Sequence, residues 1–356
     1  MYKENQEIQI LRGMAILAVV GIHTLSIGIT NTKSNTLGHY MYQIIHTLLQ
    51  FAVPTFIFIS SMMITYSLQE NKLYPSSFYK KKFFKIGIPY ILWTLIYVLP
   101  QIAKGWIPVD RLWNTKSWLY WILYGKGYDH LYYLSVTLQL YLIAPLSVAI
   151  LQFLTRFFKQ KTIYILLPIA ILGQVCIYLI NQRYISHYFS AQATLVIWYF
   201  VIIIIGMWAG FNYEIFVNWL KKNTHFLMIS LGIISLIYIN YKLKMVYQVA
   251  INTTYYQFIW YAYVFIMTLN LFHLALKITS TKMGHLFLIL GNYSFGIYLI
   301  HPMMTYWLRK GLTTDHALLL GILLGISMSC MITLCIIASK LLLKHKYTKI
   351  LLGAYH

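Results

Sequence analysis

Long apolar runs recur along almost the whole of this 356-residue chain. A helical run of about 20 apolar residues crosses a bilayer, whereas the strands of a membrane barrel need only about ten alternating residues. The runs therefore predict an all-α, polytopic membrane protein with about ten transmembrane helices. The predicted spans are 8–30, 42–69, 86–103, 131–154, 162–181, 190–211, 225–241, 255–276, 284–307 and 317–340.

The amino-acid composition supports the same class of protein. Charged residues make up 10% of the chain and hydrophobic residues 60%, whereas a soluble domain has about 25% charged residues. These values argue against a cytosolic enzyme, a secreted disulfide domain and a disordered regulator. The net charge of +21 indicates basic loops beside anionic lipid headgroups, so membrane lipids are expected partners and nucleic acid is not.

The distribution of basic residues predicts the orientation in the membrane. Seventeen of the 28 lysines and arginines fall in one set of alternate connecting segments, and ten fall in the other. The positive-inside rule then places both termini in the cytoplasm, in agreement with an even number of spans. No repeat or long loop divides the sequence, so residues 1–356 are interpreted as one integral-membrane domain.

Several short features are predicted to be structural. The aromatic segment 117–125 is too short to span and suits an interfacial helix or a re-entrant piece. Gly206-x-x-x-Gly210 and Gly321-x-x-x-Gly325 are typical of close helix packing. The three cysteines, Cys176, Cys330 and Cys335, are interpreted as buried apolar side chains, because a zinc site or a disulfide framework needs more ligands. No metal site and no permanently bound cofactor are expected.

The first span contains two ionisable residues, Arg12 and His23. Eleven residues correspond to about three helical turns plus 20°, so both side chains point to one side, about 16 Å apart along the axis. Because such groups are costly in a membrane, they are candidate functional residues. The alternatives are that Arg12 snorkels to the inner interface and that His23 makes a bond between helices.

The ninth span carries a polar face formed by Ser294, Tyr298 and His301. Their spacing of four and then three residues places them on one side of a helix. Counted along straight helices, His301 and His23 both lie about 22 Å from the cytoplasmic end. Pro302 is expected to interrupt the helix beside His301, and the matching depths predict a shared cavity.

Two further groups are candidate binding residues. Lys82 and Lys85 belong to the densest cluster of positive charge, which could bind phosphates as point charges or simply contact lipid. Asp129 and His130 are predicted to lie at the outer surface among aromatic residues, a combination that suits sugar binding. An aromatic belt at the membrane interface explains these aromatic residues equally well.

The order and spacing of these residues resemble the membrane acyltransferase 3 family over essentially the whole chain. Arg12-x10-His23 is similar to that family's Arg-x10-His motif in the first helix. Three later stretches also resemble family patterns, namely Val53–Ser60, Tyr132–Pro145 and Gly291–Pro302. Two positions depart from the family: Lys82 and Lys85 replace an Arg-x-x-Arg pair, which removes the guanidinium fork that grips phosphate, and Ser60-Ser61 replaces Ser-Gly.

The resemblance implies transfer of an acyl group, acetyl above all, from cytoplasmic acyl-CoA to a hydroxyl of a cell-surface or lipid-linked glycan. His23 would act as the general base, and His301 or Tyr298 would orient His23, orient the acceptor or stabilise the oxyanion. Arg12, Lys82 and Lys85 would bind the donor, while Asp129 and His130 would bind the acceptor. An acyl-histidine intermediate stays open beside direct transfer.

The resemblance also sets the expected location and the competing functions. It implies a multi-pass protein of the bacterial cell membrane and leaves room for association with a polysaccharide synthase complex. The family it points to also includes polysaccharide exporters, so an exporter is the main alternative, although no ATPase motif or acidic coupling group is visible within the predicted spans. A purely structural partner would leave Arg12 and His23 without a role.

Overall fold

The computed structural model describes residues 5–69, 75–312, 314 and 316–354. Every regular element in these residues is helical. The α-helices are α1 Gln6–Asn31, α2 Leu37–Leu48, α3 Ala52–Gln69, α4 Pro75–Lys82, α5 Ile88–Ala103, α6 Thr115–Leu123, α7 Tyr132–Phe158, α8 Thr162–Ile180, α9 Phe200–Phe211, α10 Tyr213–Lys222, α11 Thr224–Val246, α12 Thr253–Ile278, α13 Lys282–Asn292, α14 Ser294–Gly311 and α15 Ala317–Lys344.

Eight helical stretches of the described chain are long and apolar enough to cross a membrane. They are Gln6–Asn31, Leu37–Tyr66, Ser77–Ala103, Tyr132–Phe158, Thr162–Ile185, Thr224–Val246, Thr253–Ile278 and Ala317–Lys344. Two bent pairs of helices raise the number to ten if each pair is one span. The all-α polytopic fold is therefore confirmed, while the cytoplasmic location of the termini stays a prediction.

The two bent pairs correct the predicted spans 190–211 and 284–307. The axis turns by 106° between Val196–Phe211 and α10, and by 75° between α13 and α14. At the first break, the Asn212 side chain donates to the Trp208 carbonyl, so a side chain competes with the helical backbone. Depth along these segments cannot be counted as if each were one straight helix.

Several helices extend beyond the predicted spans and take in charged residues assigned to loops. The third stretch begins at Ser77, so Lys82 and Lys85 lie within it; a π-helical segment, Phe83–Gly87, joins α4 to α5. Similarly, α11 continues to Val246 and includes Lys242. These residues lie within a turn or two of a helix end, where long basic side chains reach the interface.

The chain divides into two compact units. Unit 1 comprises residues 1–56 and 216–340, and unit 2 comprises residues 57–215 and 341–356. In unit 1, α1 packs against α2, α12, α13 and α14, and α11 packs against α2 and α12. The long helix α1 is therefore the element around which unit 1 is assembled.

Glycines allow α13 to touch the backbone of α1. A Cβ on Gly13 would overlap the Phe287 carbonyl oxygen, and one on Gly291 would overlap the Gln9 carbonyl oxygen. Position numbers fall along α1 as they rise along α13, so the two helices run in opposite directions where they cross. Only residues without a side chain allow so close an approach.

Unit 2 contains one of the two predicted glycine motifs. Gly206 and Gly210 on α9 approach the carbonyl oxygens of Phe58 and Met62 on α3, as predicted. In unit 1, by contrast, a Cβ on Gly321 would meet only the Tyr42 hydroxyl, and a Cβ on Gly325 would have no described atom within 4 Å. The second motif therefore does not join two backbones.

Other structural expectations have mixed outcomes. The short aromatic segment forms α6, a helix of nine residues. Cys335 is buried, but Cys176 and Cys330 are exposed on their helices, so the expectation that all three are buried is wrong. The C-terminal segment packs within unit 2, where Trp93 Nε1 donates to the Leu351 carbonyl at 2.9 Å.

The crossing of α1 and α13 yields a stability prediction. Gly13→Ala should destabilise the protein by about 1–3 kcal/mol, because the added methyl group meets a backbone carbonyl that cannot rotate away. The control is Gly325→Ala, which adds the same group inside a helix where space is open and should leave stability unchanged or raise it by up to about 1 kcal/mol, because Ala is the better helix former. Thermal unfolding in detergent measures both; equal midpoints for the two variants would contradict the close contact.

Candidate functional site

Arg12 and His23 lie on one uninterrupted helix, as the spacing argument requires. Helix α1 is regular from Gln6 to Asn31, and both side chains are half-buried. Their separation along the axis is about 16 Å at 1.5 Å per residue. The same helix therefore presents a guanidinium near its start and an imidazole deep in the membrane-spanning segment.

His23 meets His301, a residue of α14. The centroids of the two imidazole rings are 5.1 Å apart, with an angle of 51° between the ring planes. The His301 side chain is fully buried, whereas His23 keeps some accessible surface. The structure thus brings together the two histidines that the sequence places at similar depth.

A hydrogen bond fixes which nitrogen of neutral His301 carries the proton. The Nδ1 atom lies 3.0 Å from the carbonyl oxygen of Ile297. A carbonyl only accepts, so Nδ1 donates, and Nε2 then carries the lone pair. His301 is therefore held as a hydrogen-bond acceptor at Nε2.

Pro302 does not break the helix, contrary to the prediction. Helix α14 is continuous from Ser294 to Gly311, and the chain bends at Tyr293 instead. Proline lacks the amide that would bond the carbonyl of Tyr298. The His301 ring donates from Nδ1 to the carbonyl of Ile297, the residue before Tyr298.

The polar face predicted for the ninth span is present on α14. Ser294, Tyr298 and His301 are all buried on this helix. The ring centroids of Tyr298 and His301 are 6.2 Å apart. Tyr298 therefore lies beside the histidine pair, one turn before His301.

A second link joins α1 to α14 one turn beyond His23. Ser26 Oγ donates to the His23 carbonyl at 2.7 Å, and Arg309 Nη2 donates to Ser26 Oγ at 3.1 Å. Arg309 lies outside the predicted span, which ends at 307, and so carries no functional signal in the sequence. This link fixes the relative positions of the two helices beside the histidines.

Two ionisable residues near His23 are not among the candidates that the sequence singles out. His46 on α2 interacts electrostatically with His23 and with Lys242 on α11. His46 and Lys242 are half-buried. The signal that could have revealed them is the occurrence of a charge or an imidazole inside a spanning helix, the criterion that identifies Arg12 and His23.

The predicted donor lysines lie in unit 2 in different surroundings. The Lys82 ammonium lies over the rings of Tyr141 and Phe78, 4.4 Å and 5.6 Å from the ring centroids. Lys85 is exposed in the π-helical segment. Lys82 is thus engaged with aromatic faces while Lys85 is turned outward, and their role in donor binding stays a prediction.

The predicted acceptor residues do not form one exposed surface. His130 is only 3% exposed and packs against the rings of Tyr97 and Tyr128. Asp129 beside it is exposed. The predicted surface location of His130 is therefore wrong, because the aromatic residues around it form an enclosed cluster. A binding role for Asp129 stays a prediction.

The described residues hold no group of three His, Cys, Asp or Glu side chains that could bind a metal ion. The side chains gathered around His23 and His301 instead offer imidazole, guanidinium, hydroxyl and ammonium groups. Imidazole accepts and returns protons near neutral pH. The histidine pair is the arrangement best suited to proton transfer.

The contact between the two histidines predicts that their effects on stability are coupled. The stability changes of His23→Ala and His301→Ala should be non-additive by about 0.5–1.5 kcal/mol in the double variant. The matched control is the pair His23→Ala and His285→Ala, since His285 is exposed on α13 and should behave additively. Thermal unfolding of the single and double variants tests this; additivity in both pairs would show that the rings do not interact.

Comparison with known proteins identifies one family. The model of a family described as an acyltransferase domain matches residues 5–340. No curated protein and no solved structure matches the chain. The family match spans both compact units and includes Arg12, His23, Tyr298 and His301.

Proposed function

Because the chain belongs to the acyltransferase domain family and is a multi-pass membrane acyltransferase, we propose that it moves an acyl group from cytoplasmic acyl-CoA to a glycan hydroxyl. Acetyl is the acyl group proposed, and the acceptor is a cell-surface or lipid-linked glycan. The proposed location is the bacterial cell membrane. The contact between His23 and His301 is the observation that carries the proposal.

His23 is the proposed general base. It is accessible in part, whereas His301 is fully enclosed, so His23 is the imidazole that an acceptor hydroxyl reaches. The base takes the hydroxyl proton as the acceptor oxygen attacks the thioester carbonyl. Collapse of the tetrahedral intermediate breaks the C–S bond, and the proton returns to the leaving thiolate, giving an ester and CoA.

His301 and Tyr298 are proposed as positioning groups. The His301 Nε2 lone pair can accept the N–H of His23, which leaves the second nitrogen of His23 as the base. This arrangement requires His301 to be protonated at Nδ1, as its bond to Ile297 indicates. Tyr298 lies beside the pair, and its hydroxyl is proposed to act on the oxyanion or the acceptor.

Arg12, Lys82 and Lys85 are proposed to bind the donor. CoA carries several phosphate charges, and Arg12 can grip a phosphate with two parallel hydrogen bonds. The lysines act as point charges and provide less directional binding. With the predicted orientation, the start of α1 faces the cytoplasm, where acyl-CoA is available.

Replacement of His23 tests the proposed reaction. In cells that lack the wild-type protein, His23→Ala should lower the ester content of the surface glycan by about 10²–10⁴-fold, as expected for loss of a general base. His285→Ala is the matched control, because it removes an exposed imidazole from the same unit. Mass spectrometry of the glycan gives the ester content, and immunoblotting gives the amount of membrane protein.

The same experiment separates acyl transfer from glycan export. Loss of ester with normal surface polymer supports the enzyme. Polymer retained inside cells that lack the protein supports an exporter instead. Ester content near the wild-type level in His23→Ala cells would refute the assignment of His23.

Donor binding is tested with coenzyme A and purified protein. Arg12→Ala and the double variant Lys82→Ala/Lys85→Ala should each weaken CoA binding by about tenfold or more, because each removes charge that pairs with phosphate. Lys80→Ala/Lys81→Ala is the matched control for the lysine pair, since both residues are exposed in the same helix. Unchanged CoA affinity in the first two variants would assign these residues to lipid contact.

A further inference from the structure

A stripe of polar side chains runs along the membrane-spanning segment Leu37–Tyr66. His39, Gln43, His46 and Gln50 form this stripe, here called the α2 polar stripe. His39, Gln43 and His46 lie on α2 and Gln50 lies in the 3-10 segment Leu49–Phe51 that continues it. Counted as one α-helix, steps of four, three and four residues place all four within about 60° of the circumference, over a length of about 16 Å. Four polar residues on one side of a membrane helix need partners, or a water-lined space, on that side.

The opposite side of the same helix faces lipid. Leu37, Met41 and Ile45 are exposed by 78%, 49% and 42% of their surface, and they recur every four residues. The polar stripe therefore points away from the lipid-facing side. Gln43, His46 and Gln50 are half-buried, so each of these three residues keeps some accessible surface on the side away from the lipid-facing residues.

Neighbouring helices flank the stripe on both sides. On one side α2 packs against α1, where Gly28 meets the Tyr42 ring and Gly21 meets Leu49. On the other side, the rings of Tyr40 and Tyr247 are 5.0 Å apart, next to α11. The stripe thus faces the groove between α1 and α11.

The register of α1 and α2 shows how far the stripe reaches. Gly28 is level with Tyr42, and Gly21 is level with Leu49. Seven residues separate the two contacts on each helix, so the antiparallel helices keep the same register between them. His46 is consequently level with Thr24, the residue next to His23. The stripe begins in the first turn of α2, beside the α1–α2 connection, and extends to the depth of His23, the proposed base.

The internal hydrogen bonds of the stripe are long. Gln43 Nε2 lies 3.5 Å from His39 Nε2, and Gln50 Nε2 lies 3.5 Å from His46 Nδ1. A glutamine amide has two donors and an acceptor with two lone pairs. Each glutamine therefore retains hydrogen-bonding capacity for a ligand rich in hydroxyl groups.

Lys242 adds a positive charge beside the stripe. It lies on α11, five residues before Tyr247, while His46 lies six residues after Tyr40. Because Tyr40 and Tyr247 touch, the antiparallel helices bring Lys242 and His46 to similar depth, in agreement with their electrostatic interaction. Glu7 is the only acidic side chain among the described residues of unit 1, and it lies near the far end of α1.

We propose that the α2 polar stripe and Lys242 form the acceptor subsite, which binds a glycan bearing a carboxylate or phosphate and delivers one of its hydroxyls to the level of His23. The inference rests on the proposed acyl transfer and names its acceptor class. Amide and imidazole groups hydrogen-bond the sugar hydroxyls. Lys242 pairs with the acidic group of the glycan. That group supplies a negative charge beside Lys242, where the described part of unit 1 has no acidic side chain.

Cysteine accessibility tests whether the stripe faces water. In a background with Cys176, Cys330 and Cys335 changed to alanine, Gln43→Cys, His46→Cys and Gln50→Cys should react with a charged, water-soluble methanethiosulfonate. Met41→Cys and Ile45→Cys on the lipid-facing side are the controls and should react at least about tenfold more slowly, since charged reagents avoid lipid. Equal rates on the two sides would overturn the water-lined subsite.

A second experiment assigns the stripe to the acceptor. His46→Leu and Lys242→Gln should each lower the glycan ester content of cells by about tenfold or more, while the affinity of the purified proteins for CoA stays within about twofold of wild type. Matched controls are His285→Leu and Lys244→Gln, which remove the same groups from exposed positions. Lys242→Arg should restore ester content, because it keeps the charge.

Each result of this experiment has a defined meaning. Normal ester content in His46→Leu and Lys242→Gln cells overturns the proposal, and so does an equal loss of CoA affinity, which would make the residues structural or donor-binding. A lower unfolding temperature without rescue by Lys242→Arg also overturns it. If wild-type cells add no ester at all, acyl transfer itself fails, whereas the accessibility measurement still reports on the stripe.

Discussion

The contact between the backbones of α1 and α13 determines the geometry of unit 1. Gly13 and Gly291 let each helix rest against a carbonyl of the other. After the 75° turn at Tyr293, α14 also packs against α1. His301 then reaches His23, and Arg309 reaches Ser26. A side chain at either glycine would overlap a backbone carbonyl of the other helix, so the two helices would have to move apart.

The bilayer imposes the second constraint, since polar groups inside it must be satisfied within the protein or by enclosed water. The His301 ring meets this requirement at one of its nitrogens, because Nδ1 donates to the Ile297 carbonyl within α14. This bond fixes the proton of neutral His301 on Nδ1. His301 therefore presents a defined acceptor atom, Nε2, to its neighbour.

Much of this arrangement follows from the sequence wherever a helix is straight. Arg12 and His23 lie on the uninterrupted helix α1, as their eleven-residue spacing predicts. Ser294, Tyr298 and His301 likewise lie together on α14. The sequence carries no comparable signal for the positions at which helices bend. The turn occurs at Tyr293 and not at Pro302, next to a tertiary contact between Gly291 and Gln9 that the local sequence does not reveal.

Span boundaries explain why some polar residues escape prediction. The predicted second span begins at residue 42, which excludes His39 and hides the regular spacing of the polar stripe. The predicted seventh span ends at 241, which leaves Lys242 in a loop, whereas α11 continues to Val246. The position of His130 is wrong for a different reason: aromatic residues in a loop pack on one another as readily as they form an open surface.

In the proposed mechanism, the difference in burial gives His23 and His301 different tasks although their side chains are chemically identical. A base must touch its substrate, and His301, with no exposed surface, has its Nδ1 committed to the backbone. His23 retains accessible surface and lies on the helix that also carries Arg12. In the proposed reaction, proton transfer to His23 creates an imidazolium, and the lone pair on His301 Nε2 is suited to accept one N–H of that imidazolium. This hydrogen bond would hold the His23 ring in place while the acceptor oxygen attacks.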